Sequence, residues 1–190
     1  QEECLDQFLG MTTDPNADGA IYLIEREERM ASLVGAAVMV DAGHCRGERS
    51  LRWDLIPARI RGGIFHPKIV LLVWDRCVRI IFSSANLTHD GYRRNQEILV
   101  VLEFEPGCSL PVTLMDDVLI GIEQMLSFAR IAPESTVRKR WLAVIKEARK
   151  RRDFGLDAEM EDVKITPQFI FPGPENKSSR LNLFKQLEDR

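Results

Sequence analysis

Short runs of apolar residues alternate along the chain with longer stretches in which apolar positions recur every three or four residues. Runs of strand length occur at 36–40, 51–61, 64–74, 78–82 and 97–104. Pro57 is expected to break the second run, because proline cannot donate to a strand ladder. Helical spacing is found at 21–33, 113–130 and 134–152. Strands that alternate with helices predict an α/β fold with a mixed β-sheet flanked by helices.

Each of the three helical stretches has a candidate buried face. In the first, Ile24, Met30 and Leu33 share one side. The second is expected to begin with a Thr113-x-x-Asp116 cap. Its apolar face comprises Leu114, Val118, Ile122, Met125 and Leu126. The apolar face of the third helix comprises Val137, Trp141, Val144, Ile145 and Ala148.

The character of the chain changes at three points, which predict its organisation. Residues 1–19 are polar and indicate an N-terminal extension, and residues 20–152 contain the elements of one lobe. An acidic linker is expected at 153–164. Residues 165–190 hold one strand, a loop and the beginning of a helix, which cannot bury their own faces. They are interpreted as the start of a second lobe or as a C-terminal extension.

The charge balance limits the possible partners. The 190 residues include 26 basic and 29 acidic side chains, a net charge of −3, which argues against a uniformly basic nucleic-acid coat. A local basic patch is present at 138–152, where a solvated helix face and a phosphate-backbone track are both open. No apolar run approaches the roughly 20 residues of a membrane span, and no secretory signal begins the chain. A cytoplasmic protein without membrane contact is expected.

The four cysteines indicate neither a metal site nor a disulfide framework. Cys4, Cys45, Cys77 and Cys108 are widely spaced, and no two of them form a C-x-x-C pair. Free thiols in a reducing compartment are therefore expected.

A histidine and a lysine two residues apart stand at the head of the most apolar run. Because residues i and i+2 of a strand point to the same face, His66 and Lys68 are expected to emerge together. Asn86 directly follows the partner strand of a predicted hairpin, so it returns to a point beside them. An imidazole that attacks phosphorus, with an ammonium and an amide donating to the phosphate oxygens, suits phosphodiester chemistry. Glu97, at the start of the next strand, is expected to accept the other imidazole N–H.

These segments resemble the phospholipase D superfamily. Its motif, H-x-K followed by a small-residue turn that contains Asn, is similar to residues 65–68 (FHPK) and 83–88 (SSANLT), with Glu97 further on. The spacing from Lys68 to Asn86 is closer to that of tyrosyl-DNA phosphodiesterases than to that of the lipid-cleaving members. The surrounding residues most resemble bacterial phospholipase D-like proteins. The resemblance implies a phospholipase D-like lobe.

The resemblance also implies a role for each matching residue. His66 would be the nucleophile that forms a phosphohistidine, and Lys68 and Asn86 would bind the phosphate oxygens. Glu97 would be the partner of His66, and Ser84 a secondary hydroxyl donor to the phosphate. No metal and no cofactor is implied.

Four further residues outside the matching positions have a possible role of their own. Arg93 and Arg94 are well placed to meet a polyanionic substrate. Asp75 departs from the position of the acid in the lipid-cleaving pattern and is interpreted as a turn residue. Trp53 stands in a polar stretch where base stacking is conceivable.

Members of the superfamily use two motifs that face each other, and the second histidine protonates the leaving group. This chain has one, since neither His44 nor His89 is followed by a lysine two residues later. A second phospholipase D-like lobe is therefore expected as a partner, either in a longer chain or in a homodimer. The resemblance of residues 165–187 to the opening of a second lobe, together with a chain that starts at Gln1, favours the longer chain.

The function expected from these observations is a metal-independent phosphodiesterase of the nuclease or DNA-end-processing type, with nucleic acid, and DNA in particular, as its partner. Two alternatives stay open. One is a phospholipase D or phosphatidyl transferase that acts on lipid, and the other is a catalytically silent nucleic-acid-binding module of the same fold.

Overall fold

The computed structural model describes residues 9–12, 16, 18–45, 53–86, 88, 90–91 and 94–155. These residues form three α-helices, α1 (Gly19–Ala31), α2 (Val112–Gln124) and α3 (Thr136–Arg149). They also form five strands, β1 (Ala37–Asp41), β2 (Asp54–Ala58), β3 (Ile69–Val73), β4 (Val78–Ser83) and β5 (Leu99–Phe104). Short 3₁₀ turns occur at Met125–Ser127 and Arg152–Phe154. The protein is thus a mixed α/β structure, as the alternation of patterns predicts, but the described strands form two small sheets in place of the single mixed sheet that is expected from the sequence.

The chain divides into two compact units. One comprises Gln1–Val70 and Ile81–Val100, and the other comprises Leu71–Ile80 and Val101–Arg190. The first unit contains α1, β1 and β2, and the second contains α2 and α3, while β3, β4 and β5 contribute residues to both. The expected second-lobe segment at 165–190, and all but the first three residues of the expected linker, lie outside the described residues.

In the first unit, α1 contributes a single fully buried side chain. Asp18 caps the helix by accepting the N–H groups of its first turn, and Met30 packs with Leu9 and Trp53 in a small core cluster. Ile24, expected on the same face as Met30, is 60% exposed. Trp53 is only 3% exposed, so in this structure its ring belongs to the core and is not available for base stacking.

Strands β1 and β2 form a parallel pair. Asp54 N–H donates to the Ala36 carbonyl at 2.9 Å, and Ala42 N–H donates to the Ala58 carbonyl at 2.7 Å. The backbone groups of successive residues in a strand point to opposite edges. Since Asp54 and Ala58 bond to the β1 side, the backbone nitrogen of Pro57 points to the other edge of β2, away from β1. Pro57 therefore interrupts no hydrogen bond, and the predicted break in this strand does not occur.

Strands β3, β4 and β5 form a second sheet in that order. Ser83 N–H donates to the Lys68 carbonyl at 3.0 Å, and Trp74 N–H donates to the Cys77 carbonyl at 2.8 Å. This constant register is that of an antiparallel hairpin with its turn at residues 75–76, which confirms the interpretation of Asp75 as a turn residue. β3 begins at residue 69 and not at 64, because the partner chain leaves the ladder after Ser83: the Ala85 N–H, which would continue the pairing, donates to Ser83 Oγ at 2.8 Å.

β5 is an edge strand that begins with exposed apolar side chains. Ser84 N–H donates to the Ile98 carbonyl at 2.9 Å, one residue before β5. The apolar run at this edge consists of Ile98, Leu99, Val100 and Val101, which are 78%, 57%, 51% and 46% exposed.

In the second unit, α2 buries the face that its spacing predicts, including Leu114, Val118 and Ile122. On the predicted face of α3, Ile145 and Ala148 are buried, and the others, Val137, Trp141 and Val144, are half-buried. The expected Thr113-x-x-Asp116 cap is not formed. The N-cap is Pro111, which has no capping side chain; its ψ of 137° makes it extended, and the helix starts at Val112. The cap of α3 is Ser135, whose hydroxyl accepts from the Arg138 N–H at 3.3 Å.

Candidate active site

Residues 64–68 form an irregular segment that leads into β3. Phe65 is buried, at 5% exposure, whereas the next residue, His66, is exposed. Since neighbouring side chains of an extended segment point in opposite directions, burial of the Phe65 ring directs His66 outward. The Lys68 Nζ lies 2.9 Å from His66 Nδ1 and 3.2 Å from Nε2. The two side chains therefore emerge on one side, as their spacing predicts.

The β3–β4 hairpin brings Asn86 to the same place. The register pairs Lys68 with Ser83, and three residues after Ser83 the chain reaches Asn86. Its Oδ1 lies 2.9 Å from His66 Nε2. An exposed imidazole, an ammonium and an amide from two neighbouring chain segments thus meet in one cluster.

The hydrogen bonds of this cluster fit one tautomer of a neutral imidazole. The Lys68 ammonium is a donor only, so the ring nitrogen that it contacts most closely, Nδ1 of His66, accepts. The single N–H of the neutral ring is then on Nε2 and is donated to Oδ1 of Asn86. In this state neither ring nitrogen has a lone pair available for attack on phosphorus.

Glu97 has a different partner from the one expected. Its Oε2 accepts the hydroxyl proton of Ser84, and its Oε1 accepts from Asn95 Nδ2 at 3.4 Å. The Ser84 hydroxyl in turn accepts from Ile98 N–H at 3.0 Å. Because the strand register sets Ser84 opposite Ile98, the serine meets the glutamate directly, and no hydrogen bond among the described residues joins Glu97 to His66.

The two arginines beside the motif are placed differently. Arg93 lies outside the described residues. Arg94 is exposed, and its Nη1 lies 3.4 Å from Oδ1 of Asp90 in an ion pair at the surface. No hydrogen bond or ion pair in the described part of the chain joins Arg94 to His66, Lys68 or Asn86.

Two residues near the cluster were not identified from the sequence. Gly91 is buried, and a Cβ at this position would lie 2.4 Å from the Asn86 carbonyl oxygen. Asp41, the last residue of β1, accepts the N–H of Phe65 on Oδ2 at 2.9 Å. A glycine five residues after the asparagine was a detectable signal, but the approach of Asp41 depends on the path of residues 59–65.

The basic residues at the end of α3 are paired with carboxylates of the second unit. Arg149 contacts Glu123 at 2.7 Å, Lys150 contacts Glu147 at 2.6 Å, Arg151 contacts Glu147 at 3.1 Å, and Arg152 contacts Asp116 at 2.8 Å. Such pairing neutralises this end of the helix. The structure thus favours the solvated face over the phosphate track for residues 149–152.

Metal sites, reactive thiols and membrane-spanning helices were also sought among the described residues. No group of three or more His, Cys, Asp or Glu side chains there is arranged to hold a metal ion. Cys45, Cys77 and Cys108 are free and partly buried, and burial raises the pKa of the Cys45 and Cys77 thiols. No helix in the described part of the chain has the length and apolar character needed to cross a membrane.

Comparison of the chain with protein-family models, with curated proteins and with solved structures finds no match. A functional assignment therefore depends on the arrangement of His66, Lys68 and Asn86.

Proposed function

We propose that this protein is a metal-independent phosphodiesterase of the phospholipase D-like type, with His66 as its nucleophile. The observation that carries the proposal is that Lys68 and Asn86 each lie within hydrogen-bond distance of the exposed His66 ring. Such a cluster combines a nucleophile with two groups that can donate to the oxygens of a phosphate. It forms half of a site, because one phosphodiester also needs an acid for its leaving group.

The mechanism begins with an exchange of partners. A bound phosphodiester takes the Lys68 ammonium and the Asn86 amide onto its non-bridging oxygens, which releases both ring nitrogens of His66. The ring proton moves from Nε2 to Nδ1. The Nδ1–H group then donates a hydrogen bond to the Glu97 carboxylate, once the Ser84 hydroxyl has turned from Glu97 to the phosphate. Nε2 then forms a bond to phosphorus as the bond to the leaving oxygen breaks, and that oxygen takes a proton from the acid of the completing half. Water later attacks phosphorus as the phosphorus–nitrogen bond breaks, and it gives a proton to the conjugate base of that acid, so that both the acid and His66 return to their starting states.

A second phospholipase D-like lobe, encoded in a longer chain, would supply that acid. The exposed apolar run of β5 at residues 98–101 begins one residue after Glu97, so a surface suited to burial adjoins the half-site. Covering it with the second lobe would place two motifs near each other. A second copy of this chain is the other source of the acid. The mass of the active species distinguishes a monomer with two lobes from a homodimer.

Nucleic acid is the favoured substrate. The cluster lies at the surface, so a polymer can place one phosphate of its backbone at His66 while the rest of the chain extends past the site on both sides. The spacing of Lys68 and Asn86 resembles that of enzymes that act on DNA ends. Lipid turnover or phosphate binding without turnover are the competing functions.

The first test measures turnover by the full-length protein of labelled DNA, labelled RNA and phosphatidylcholine vesicles, each in EDTA. We expect cleavage of DNA or RNA, with His66→Ala reducing kcat by about 1,000-fold or more because the nucleophile is lost. Glu28→Ala is the control, since Glu28 is an exposed residue of α1 in the same unit, and it should stay close to the wild type.

The second measurement locates the covalent intermediate. Reactions are stopped with denaturant at neutral pH, because a phosphorus–nitrogen bond hydrolyses in acid, and the adduct is mapped by mass spectrometry. We expect phosphate on His66 in the wild type. An adduct on a non-histidine side chain, or nuclease activity abolished by EDTA, contradicts the mechanism. Turnover of lipid alone supports the phospholipase, and DNA binding without any turnover supports the silent module.

A further inference from the structure

We propose that Asp41 is a positioning residue for His66, an inference that rests on the proposed function. Asp41 ends β1, twenty-five residues before the histidine in the chain, and no sequence motif includes it. Its Oδ2 accepts the Phe65 N–H at 2.9 Å. The peptide that carries this N–H immediately precedes the one that joins Phe65 to His66, so the carboxylate acts on the backbone of the nucleophile's own segment.

The other carboxylate oxygen fixes Asp41 itself. Oδ1 accepts the Gly43 N–H at 2.8 Å, in the turn that follows β1, and lies 3.6 Å from Nδ1 of His44. A Cβ on Gly43 would lie 3.1 Å from this oxygen, so glycine allows the turn to approach the carboxylate closely. The Asp41 side chain is 17% exposed. One carboxylate thereby joins the end of β1 to the segment of His66.

Such a connection matters because residues 64–68 belong to no strand. On the C-terminal side of His66, the Lys68 carbonyl accepts from Ser83 N–H, which ties this end to β4. On the N-terminal side, the Phe65 N–H is tied to Asp41. The position of the His66 Cα relative to Asn86 is thus set from both ends, and only the second connection uses a side chain that substitution can remove.

Ionisation of Asp41 strengthens the contact. Hydrogen bonds from the Phe65 and Gly43 N–H groups hold the pKa of this carboxyl below its ordinary value. At neutral pH the group is therefore a carboxylate with two acceptor oxygens. An amide in its place has one acceptor oxygen for two N–H donors, and alanine has none.

The test uses Asp41→Asn and Asp41→Ala in the full-length protein, with Asp18→Asn and Asp18→Ala as matched controls. Asp18 also accepts two backbone N–H groups in the first unit, but at the start of α1. The first readout is independent of activity: the ¹⁵N chemical shifts of the His66 ring, assigned with His66→Ala, and the exchange rate of the Phe65 amide.

We expect the Asp41 variants to shift the His66 ring signals and to speed exchange of the Phe65 amide, more in Ala than in Asn. The Asp18 variants should leave both unchanged. Wild-type ring signals and wild-type Phe65 protection in Asp41→Asn overturn the proposal, whatever the activity. If Asp41→Ala fails to fold, the Asn variant still decides.

The second readout separates positioning from folding. For a misplaced nucleophile, kcat falls on the order of 10- to 100-fold with KM little changed, because Lys68 still binds the phosphate. An equal fall in both Asp41 and Asp18 variants contradicts positioning. If the wild type proves to have no phosphodiesterase activity, the proposed function fails, but the ring signals and amide exchange still report whether Asp41 sets the place of His66.

Discussion

At the scale of single residues, Gly91 shows how closely the backbone approaches Asn86. An alanine Cβ there would lie 2.4 Å from the Asn86 carbonyl oxygen, a distance that forces the backbone of one residue to move. We expect Gly91→Ala to lower the free energy of unfolding by about 1–3 kcal/mol and to reduce kcat, because Asn86 is displaced from His66. Urea denaturation and turnover measure the two effects. Gly19→Ala is the control, since nothing lies within 4 Å of its added Cβ; equal behaviour of both variants would contradict the argument.

The residues of the cluster differ in how far the sequence could predict them. His66, Lys68 and Asn86 follow from a strand period of two and one short hairpin, both of which are local. The partner of Glu97 depends on the register between β4 and β5, which sets Ser84 in front of it. A shift of one residue would have changed that partner, and spacing alone does not define the register.

At the scale of elements, the two long helices differ in how they begin. Ser135 caps α3 through its hydroxyl, whereas α2 begins at Pro111 without a side-chain hydrogen bond. Ser135→Ala should lower the free energy of unfolding by about 1 kcal/mol, measured by urea denaturation. Thr113→Ala, which removes the cap that the sequence predicts, should have little effect. A larger loss from the threonine variant than from the serine variant would show that the predicted cap forms after all.

The elements themselves were predictable where their signal is local. Helix and strand types follow from periodicity, and the buried faces of α2 and α3 agree with their spacing. The continuity of β2 was not predicted, because it depends on whether Pro57 faces the neighbouring strand. The start of β3 was not predicted, because it depends on the point at which the partner chain leaves the ladder after Ser83. The exposure of Ile24 was missed because the spacing of apolar residues in α1 does not tell how much of the helix is covered.

At the scale of the whole molecule, paired carboxylates make stability depend on pH. The Arg79 guanidinium lowers the pKa of Glu103, and Lys150 and then Arg151 lower that of Glu147. A carboxyl whose pKa is lower in the folded state stabilises above its unfolded pKa, about 4.3 for glutamate, and loses this effect as pH falls through the folded value.

We therefore expect the free energy of unfolding to be constant near neutral pH and to fall in acid. Urea denaturation between pH 7 and pH 3 measures the trend. The Glu103→Gln variant should be less stable than the wild type at pH 7, and its free energy of unfolding should fall less steeply as the pH is lowered. Because both groups are partly exposed, added salt should reduce the difference between variant and wild type. If the free energy of unfolding of Glu103→Gln fell with pH in parallel with that of the wild type, Glu103 would not be one of the groups responsible.

Pro57 on the outer edge of β2 has a consequence for how copies of this protein behave when they are crowded. An open strand edge is a template on which another chain can add, and repeated addition leads to fibres. On β2 the donor that such growth would need at position 57 does not exist. The apolar edge at β5 has no proline in residues 98–104, so this edge depends on a fixed partner to stop growth. A protein with one edge closed by its own sequence needs fewer such partners to stay dispersed, and Pro57 gives that protection at no cost to the ladder it belongs to.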